Sequence, residues 1–83
     1  MTWTVVWKPS AERHLANLWL GASDRQAMAN ASNRIDWLLK HFPEVVGESR
    51  DHGRRILIES PLAVIYKIDP GDRMATVLAV WPI

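Results

Sequence analysis

The sequence contains no cysteine, and this absence limits what can hold the chain together. Disulfide bonds and metal sites built on thiolates are excluded, so stability must come from an apolar core. Apolar runs are short, and none approaches the roughly 20 residues that a helix needs to cross a bilayer. The segment MTWTVVWKPS lacks the basic stretch and long apolar run of a secretory signal. We therefore expect a cytoplasmic protein without a membrane partner.

The chain also has almost no excess of positive over negative charge, since its formal net charge is only +1. A protein that holds nucleic acid mainly through phosphates is usually more basic, so any such contact must come from a local patch. His14, His41 and His52 share no metal-ligand spacing and have no carboxylates in a recognised pattern around them. A glycine-rich phosphate loop is missing too. No metal site and no cofactor are predicted.

The chain is nevertheless rich enough in apolar residues to fold as one domain over residues 1–83. Apolar residues make up 48% of the sequence, and five of the 83 residues are tryptophan. Each tryptophan can bury roughly 200 Å² of surface. A chain of this length has little room for a second core.

The segment from Gly53 to Trp81 predicts an antiparallel meander. Its strands are expected at Arg54–Glu59, Leu62–Ile68 and Arg73–Trp81. Ser60-Pro61 forms the first turn, because proline lacks a ladder donor, and residues 69–72 (Asp-Pro-Gly-Asp) form the second. The middle strand is apolar at almost every position, which predicts a central strand buried on both faces.

A strand and two helices precede the meander. Thr2–Trp7 alternates as a strand with one apolar face. Ser10 is expected to cap a helix over Ala11–Leu20, and Ser23, with Gln26, to cap a second helix that ends before Pro43. The predicted apolar stripes comprise Ala11, Leu15, Leu18, Trp19 and Ala22 in the first helix, and Met28, Ala31, Ile35, Leu38, Leu39 and Phe42 in the second.

The order of these elements predicts the fold class. Glu44–His52 shows no periodicity and is interpreted as an exposed connection. The chain is then strand–helix–helix followed by a three-strand meander, with the helices grouped together, which is typical of an α+β fold. We expect the helical hairpin to pack on one face of a small, mainly antiparallel sheet that the first strand completes.

The residues most suggestive of function cluster where the meander begins, and they are Arg50, His52, Arg54 and Arg55. Arginine matches the geometry of phosphates and carboxylates. Arg54 and Arg55 must point to opposite faces of the sheet because side chains alternate along a strand. A simpler interpretation is that surface ion pairs with Glu48, Asp51 and Glu59 balance these charges and contribute little.

Four further residues complete the candidates. Tyr66 is expected to be packed with its hydroxyl satisfied, whereas Lys67 faces the other way, in an exposed position. Trp37 lies among the charged residues of the second helix, and Trp81 lies near the end of the last strand. The residues predicted to bind a target are Arg50, Arg54, Arg55, Lys67 and Arg73.

Several segments together resemble the RelE/ParE superfamily of bacterial type II toxins. In order they are VVWKPSAERHLANLWL, IDWLLKHFP, GESR, GRRILIESPLAVIYKI and DRMATVLAVW. The resemblance covers essentially the whole chain. It implies a small toxin that an antitoxin wraps and neutralises, with operator DNA bound only through the antitoxin. Trp37 and Trp81 are the side chains expected to contact that antitoxin, since tryptophan is enriched at hot spots.

The superfamily divides by target. RelE-like members cleave mRNA on the ribosome, and the resemblance then gives Arg54, Arg55, His52 and Glu48 as candidate catalytic residues. However, Ala63 stands where those nucleases often carry arginine, and residues 80–83 (Val-Trp-Pro-Ile) include neither tyrosine nor histidine. Cleavage needs a proton carrier within hydrogen-bond reach.

ParE-like members inhibit DNA gyrase by binding, which requires no catalytic residue. The chain is similar to them in length and in lacking the nuclease set. We therefore favour a ParE-like toxin that is not an enzyme, with DNA gyrase as one target. The alternatives are a ribosome-dependent mRNA endoribonuclease and a non-toxic protein-interaction module.

Overall fold

The computed structural model describes residues 2–83, which form five strands and two α-helices. In chain order these are β1 (Thr4–Trp7), α1 (Pro9–Gly21), α2 (Arg25–His41), β2 (Glu48–Ser49), β3 (Arg54–Glu59), β4 (Leu62–Asp69) and β5 (Met74–Pro82). A short 3-10 turn over Asp51–Gly53 joins β2 to β3. Neither helix is long and apolar enough to cross a membrane, within the residues that the structure describes.

The strands form one mixed sheet in the order β1-β5-β4-β3-β2. β1 lies parallel to β5, and the other neighbours are antiparallel. The predicted α+β class is confirmed, as are the meander, the central place of β4 and the completion of the sheet by β1.

The helices cover one face of the sheet and leave the other open. On the helix-facing side, Leu62, Val64 and Tyr66 of β4 are fully buried and pack in one core with Ile35 and Leu39 of α2. Burial of a side chain of this size stabilises the fold by about 1.5–3 kcal/mol. The core therefore holds the helical hairpin against the centre of the sheet.

β4 is buried on both faces only along part of its length. Leu62, Ala63 and Val64 are buried in succession, but Ile65 is half-buried and Lys67 is exposed. The prediction that the whole strand is buried on both faces is therefore wrong. Within residues 2–83 no helix covers the open face, so a charged side chain at its centre stays in water.

The helix starts differ from those predicted. α1 begins at Pro9, whose fixed φ suits the first helical position, and Ser10 lies inside the helix rather than capping it. In α2 the cap is Asp24, whose side chain accepts a hydrogen bond from the Ala27 N–H at 3.0 Å. The predicted capping box on Ser23 is wrong, because the adjacent carboxylate accepts that bond and also suits the positive end of the helix.

Two members of the predicted helical stripes are largely exposed. Trp19 retains 40% of its accessible surface and Phe42 retains 48%. The stripes themselves are confirmed by the burial of Ala11, Met28, Ala31, Ile35 and Leu39.

The connection after α2 contains structure that the sequence pattern did not reveal. β2 pairs Glu48 with Ile56 and Ser49 with Arg55, which adds a fifth strand to the edge of the sheet. A strand of two residues is too short to show any alternation. His52 then adopts φ 62° and Gly53 φ 71°. These left-handed conformations turn the chain sharply into β3.

A candidate anion-binding groove on the open face

Arg54 and Lys67 lie directly opposite each other in the β3–β4 register, on the open face of the sheet. Both side chains are exposed. Within residues 2–83, neither forms a side-chain hydrogen bond or an ion pair. Like charges placed directly opposite on neighbouring strands are destabilising. This pair therefore presents two uncompensated positive charges to the solvent, as a site for an anionic group would require.

An open groove of about 580 Å³ lies beside this pair. It is lined by Ser49, Arg50, Asp51, His52, Arg54, Ile56 and Ile65. The backbone N–H of Arg50 donates to the Arg54 carbonyl at 2.7 Å, which brings the 3-10 turn alongside the start of β3. Three of the predicted residues, Arg50, His52 and Arg54, thus meet at one surface.

The charges in the groove are only partly balanced. Arg50 forms an ion pair with Glu48 at 3.0 Å, and both side chains are at least half exposed. Such pairs contribute little to stability and exchange readily with other partners. Glu59, predicted to balance the arginines of β3, instead pairs with Arg34 of α2 at 2.9 Å. Asp51 also lines the groove, so the positive charge of this surface rests on Arg54 and the neighbouring Lys67.

Arg55 points to the helix-facing side, opposite to Arg54. Its Nη2 donates to the carbonyls of Val46 and Gly47 at 3.1 and 3.3 Å, and its Nη1 donates to the hydroxyl of Ser49 at 2.8 Å. Its Nε donates to Val46 O at 3.2 Å and to the Tyr66 hydroxyl at 3.3 Å. Arg55 is predicted to bind the target or to act in catalysis, and in the structure its guanidinium donors are engaged within the chain.

Tyr66 is fully buried, and its hydroxyl is satisfied as predicted. Tyr66 Oη lies 2.8 Å from the Pro43 carbonyl and 2.7 Å from the Val46 carbonyl. Burial raises the pKa of this hydroxyl, while the hydrogen bond and the charge of Arg55 act in the opposite direction. A neutral hydroxyl enclosed in this way cannot serve as a proton carrier for a ligand on the open face. We call these two side chains the Tyr66–Arg55 anchor.

Gly47 lies against the anchor at a position where a side chain would collide with its neighbours. Its φ of +72° lies in the left-handed region. A Cβ there would stand 2.6 Å from the Ile56 carbonyl oxygen and 3.2 Å from the Tyr66 hydroxyl. The chain therefore runs in direct contact with both the β3 backbone and the buried hydroxyl. In the sequence, nothing beyond the glycine itself indicates this requirement.

Arg73 lies outside the groove, although it was predicted to bind the target. Its guanidinium carbon stands 4.9 Å from the centre of the Trp3 ring, and the side chain is half-buried. A guanidinium over an indole ring gains a cation–π attraction. In the structure Arg73 thus contributes to packing beside β1, apart from Arg54 and Lys67.

The two tryptophans predicted to meet an antitoxin lie on different surfaces. Trp37 is 55% exposed and contacts the rings of His41 and Phe42 in tilted arrangements, with ring centres 4.6 and 5.7 Å away. Trp81 is half-buried on the open face, opposite Ala63. Ala63 also pairs with Ile58, which is 61% exposed, so the end of the open face away from Arg54 is apolar.

A second groove, between α1 and α2, was not anticipated. It measures about 550 Å³ and is lined by Glu12, Leu15, Ala16, Trp19, Leu20, Met28, Ala29 and Ser32. Leu20 is 59% exposed. Leu20 is an apolar residue outside the predicted stripe of the first helix, and in the sequence it alone indicates that this surface is apolar. In the described part of the chain, no group of three or more metal-ligating side chains comes together.

Comparison with known proteins finds solved structures that share the fold of this chain. Neither protein-family models nor curated protein sequences give a match. One chain in a solved structure of the toxin–antitoxin complex RelBE2 from Mycobacterium tuberculosis is similar to this protein. The match covers 100% of this chain and 100% of that chain, with a TM-score of 0.82 and 21% identity. A mutant of the E. coli toxin RelE in the free state matches 99% of this chain and 84% of its own, with a TM-score of 0.70 and 13% identity. These two structures confirm the predicted fold.

Proposed function

We propose that this protein is the toxin of a type II toxin–antitoxin system and acts in the cytoplasm on an essential target. The observation that carries the proposal is the exposed cross-strand pair of Arg54 and Lys67, which has no carboxylate partner within residues 2–83. It lies beside a groove lined by Arg50 and His52. Such a pair lowers stability unless a ligand compensates it, which supports a binding role for the open face.

A cognate antitoxin is the second partner in this proposal. One of the similar structures is that of a toxin–antitoxin complex, and the matched chain in it shares the fold of this protein over the whole length of both. The antitoxin would cover exposed apolar surface, for which Trp37 and Trp81 are the proposed contacts. Contact with operator DNA would come only from the antitoxin.

We favour inhibition by binding, as in a ParE-like toxin, with DNA gyrase as the proposed target. Arg55, a catalytic candidate, donates its hydrogen bonds to the Val46 and Gly47 carbonyls, and the hydroxyl of Tyr66 is buried. A binding inhibitor needs neither. Arg54 and Lys67 then act as anchors for acidic groups on the target, which Arg and Lys attract as charges and hydrogen-bond donors.

The position of His52 favours a second candidate, an mRNA endoribonuclease. Its side chain lines the same groove as Arg50 and Arg54. Histidine exchanges protons near neutral pH, and flanking arginines can bind a phosphodiester and stabilise the charge that develops on it. In this alternative His52 is the proton carrier and Arg54 holds the phosphate.

The proposal is tested by inducing the protein in bacteria at a measured level and following growth. The parent chain should stop growth, and Arg54→Ala with Lys67→Ala should relieve the arrest while leaving the fold unchanged. Arg13→Ala with Lys40→Ala is the matched control, because it removes the same charge from exposed helical positions. Unaffected growth with soluble parent protein would leave only a non-toxic interaction module.

The target is identified by two measurements on the same cells. Gyrase poisoning should produce trapped gyrase–DNA cleavage complexes and DNA-damage signalling, with intact mRNA. A nuclease should instead produce mRNA cuts detectable by primer extension, and His52→Ala should abolish them. Cuts that depend on His52 would refute the binding mode that we favour.

A further inference from the structure

The wall of the groove that carries Arg50 and His52 has little support of its own. β2 is only two residues long. The ion pair between Arg50 and Glu48 is exposed and therefore weak. His52 adopts φ 62°, a left-handed conformation that is uncommon and unfavourable for a non-glycine residue. Something outside the groove must therefore fix this segment.

The Tyr66–Arg55 anchor grips the chain immediately before this wall. Its acceptors are the carbonyls of Pro43, Val46 and Gly47, together with the Ser49 hydroxyl. Ser49 also lines the groove, and the next residue donates its N–H to the Arg54 carbonyl. A continuous stretch of backbone, from Val46 to Arg50, thus connects the carbonyls bound by the anchor to the wall of the groove.

The anchor and the groove lie on opposite sides of the sheet. Arg55 pairs with Tyr66 on the helix-facing side, whereas Arg54 pairs with Lys67 on the open side. The anchor side chains therefore cannot touch a ligand in the groove. Any effect that they have on binding must pass through the position of the backbone between Gly47 and Arg50.

We infer that Tyr66 and Arg55 are positioning residues, which hold the connection so that Arg50 and His52 face the groove in a geometry that binds the target. The inference rests on the proposed function for the role of the groove. The like-charge pair of Arg54 and Lys67 is placed by the β3–β4 ladder and does not depend on the anchor. Loss of the anchor should therefore remove one wall of the site and leave the other intact.

The structural half of the inference is tested by amide hydrogen exchange on the purified protein. Tyr66→Phe removes the hydroxyl while its ring still fills the core, and Arg55→Lys keeps the charge but loses the forked donors. In both variants the amides of Val46 and Arg50 should exchange at least about tenfold faster. The Lys8 amide, bonded to the Val77 carbonyl in the sheet, should be unchanged.

The functional half is tested by growth inhibition at matched soluble protein levels. Both anchor variants should require about tenfold more protein for the same arrest, a loss equivalent to roughly 1.4 kcal/mol of target binding. Ile35→Val is the control, because it loosens the core away from the connection by a comparable amount. If loss of stability alone explained the effect, this control would lose inhibition as well.

The outcomes separate this inference from the proposed function. Unchanged exchange at Val46 and Arg50, or inhibition equal to that of Ile35→Val, would overturn the positioning role. Faster exchange with lost inhibition, confined to the anchor variants, supports it. If Arg54→Ala with Lys67→Ala inhibits growth as well as the parent, the proposed function fails, while the exchange result still decides whether the anchor holds the connection.

Discussion

Gly47 and Gly53 provide a test of how tightly the connection is held, because they share a conformation but not an environment. Their φ angles are +72° and +71°. A Cβ at Gly47 would meet the Ile56 carbonyl at 2.6 Å, whereas one at Gly53 would meet nothing within 4 Å. Replacing each glycine by alanine therefore separates two causes of lost stability, which are the collision of the new Cβ with its neighbours and the unfavourable backbone conformation.

The expected magnitudes follow from these contacts. A left-handed conformation disfavours alanine by about 1–2 kcal/mol. Restriction of the unfolded chain offsets about 0.4–1 kcal/mol of that in both variants. Gly47→Ala must in addition displace β3 backbone or the buried hydroxyl, which costs about 1–3 kcal/mol. Because the conformational terms cancel in the comparison, Gly47→Ala should be less stable than Gly53→Ala by about 1–3 kcal/mol.

Urea unfolding followed by tryptophan fluorescence measures this difference. With a slope of about 1 kcal/mol per molar urea for a small domain, the two midpoints should differ by roughly 1–3 M. Equal midpoints would refute the reasoning, since they would mean that the chain at Gly47 does not lie against Ile56 and Tyr66. A Gly53→Ala variant less stable than Gly47→Ala would refute it as well.

Three further predictions concern the cap, the core and the buried hydroxyl. Asp24→Ala should lower the free energy of unfolding by about 0.5–2 kcal/mol. Ser23→Ala should change it by less than about 0.5 kcal/mol. A larger loss from Ser23→Ala than from Asp24→Ala would contradict the assigned cap. Leu39→Ala should cost about 2–5 kcal/mol in urea unfolding, and the partly buried Leu38→Ala clearly less. Burial raises the pKa of Tyr66 in the folded state above its value in the unfolded chain. The contribution of its hydroxyl to the free energy of unfolding is therefore complete below pH about 10 and is lost as the pH rises further. Tyr66→Phe should therefore lose less stability than the parent between pH about 9 and about 11, and parallel pH profiles would contradict this.

The main elements could be predicted because their patterns are long. β3 was predicted at Arg54–Glu59, and the structure has the same bounds. α2 spans 17 residues, enough turns for the helical period to stand out. The helix starts were less accurate, because several capping residues stand side by side and only the geometry decides which one accepts the first N–H.

The anchor could not be predicted, and the reason is physical. Tyr66 and Arg55 bond mainly to backbone carbonyls in the connection. Every residue carries a carbonyl, so an acceptor of this kind leaves no mark in the sequence. β2 could not be predicted for a different reason, since its two residues are too few to show the alternation of a strand.

The alternation of side chains predicted that Arg54 and Arg55 face opposite ways, but which one faces the target depended on the register. Arg55 lies opposite the buried Tyr66, so it faces the helices, and Arg54 is left on the open side. A double alanine variant would therefore remove an anchor and a binding residue at once. Its loss of activity could be assigned to neither.

The single variants resolve this. Arg54→Ala removes an exposed side chain without hydrogen bonds in residues 2–83, so stability should change by less than about 0.5 kcal/mol while growth inhibition falls. Arg55→Ala leaves the Val46 and Gly47 carbonyls without these donors, which should cost about 1–3 kcal/mol in urea unfolding. Inhibition should then fall through the displaced connection rather than through a lost contact. If Arg55→Ala were as stable as Arg54→Ala and only its inhibition fell, Arg55 would contact the target directly, and the division of the two arginines between the faces of the sheet would lose its functional meaning.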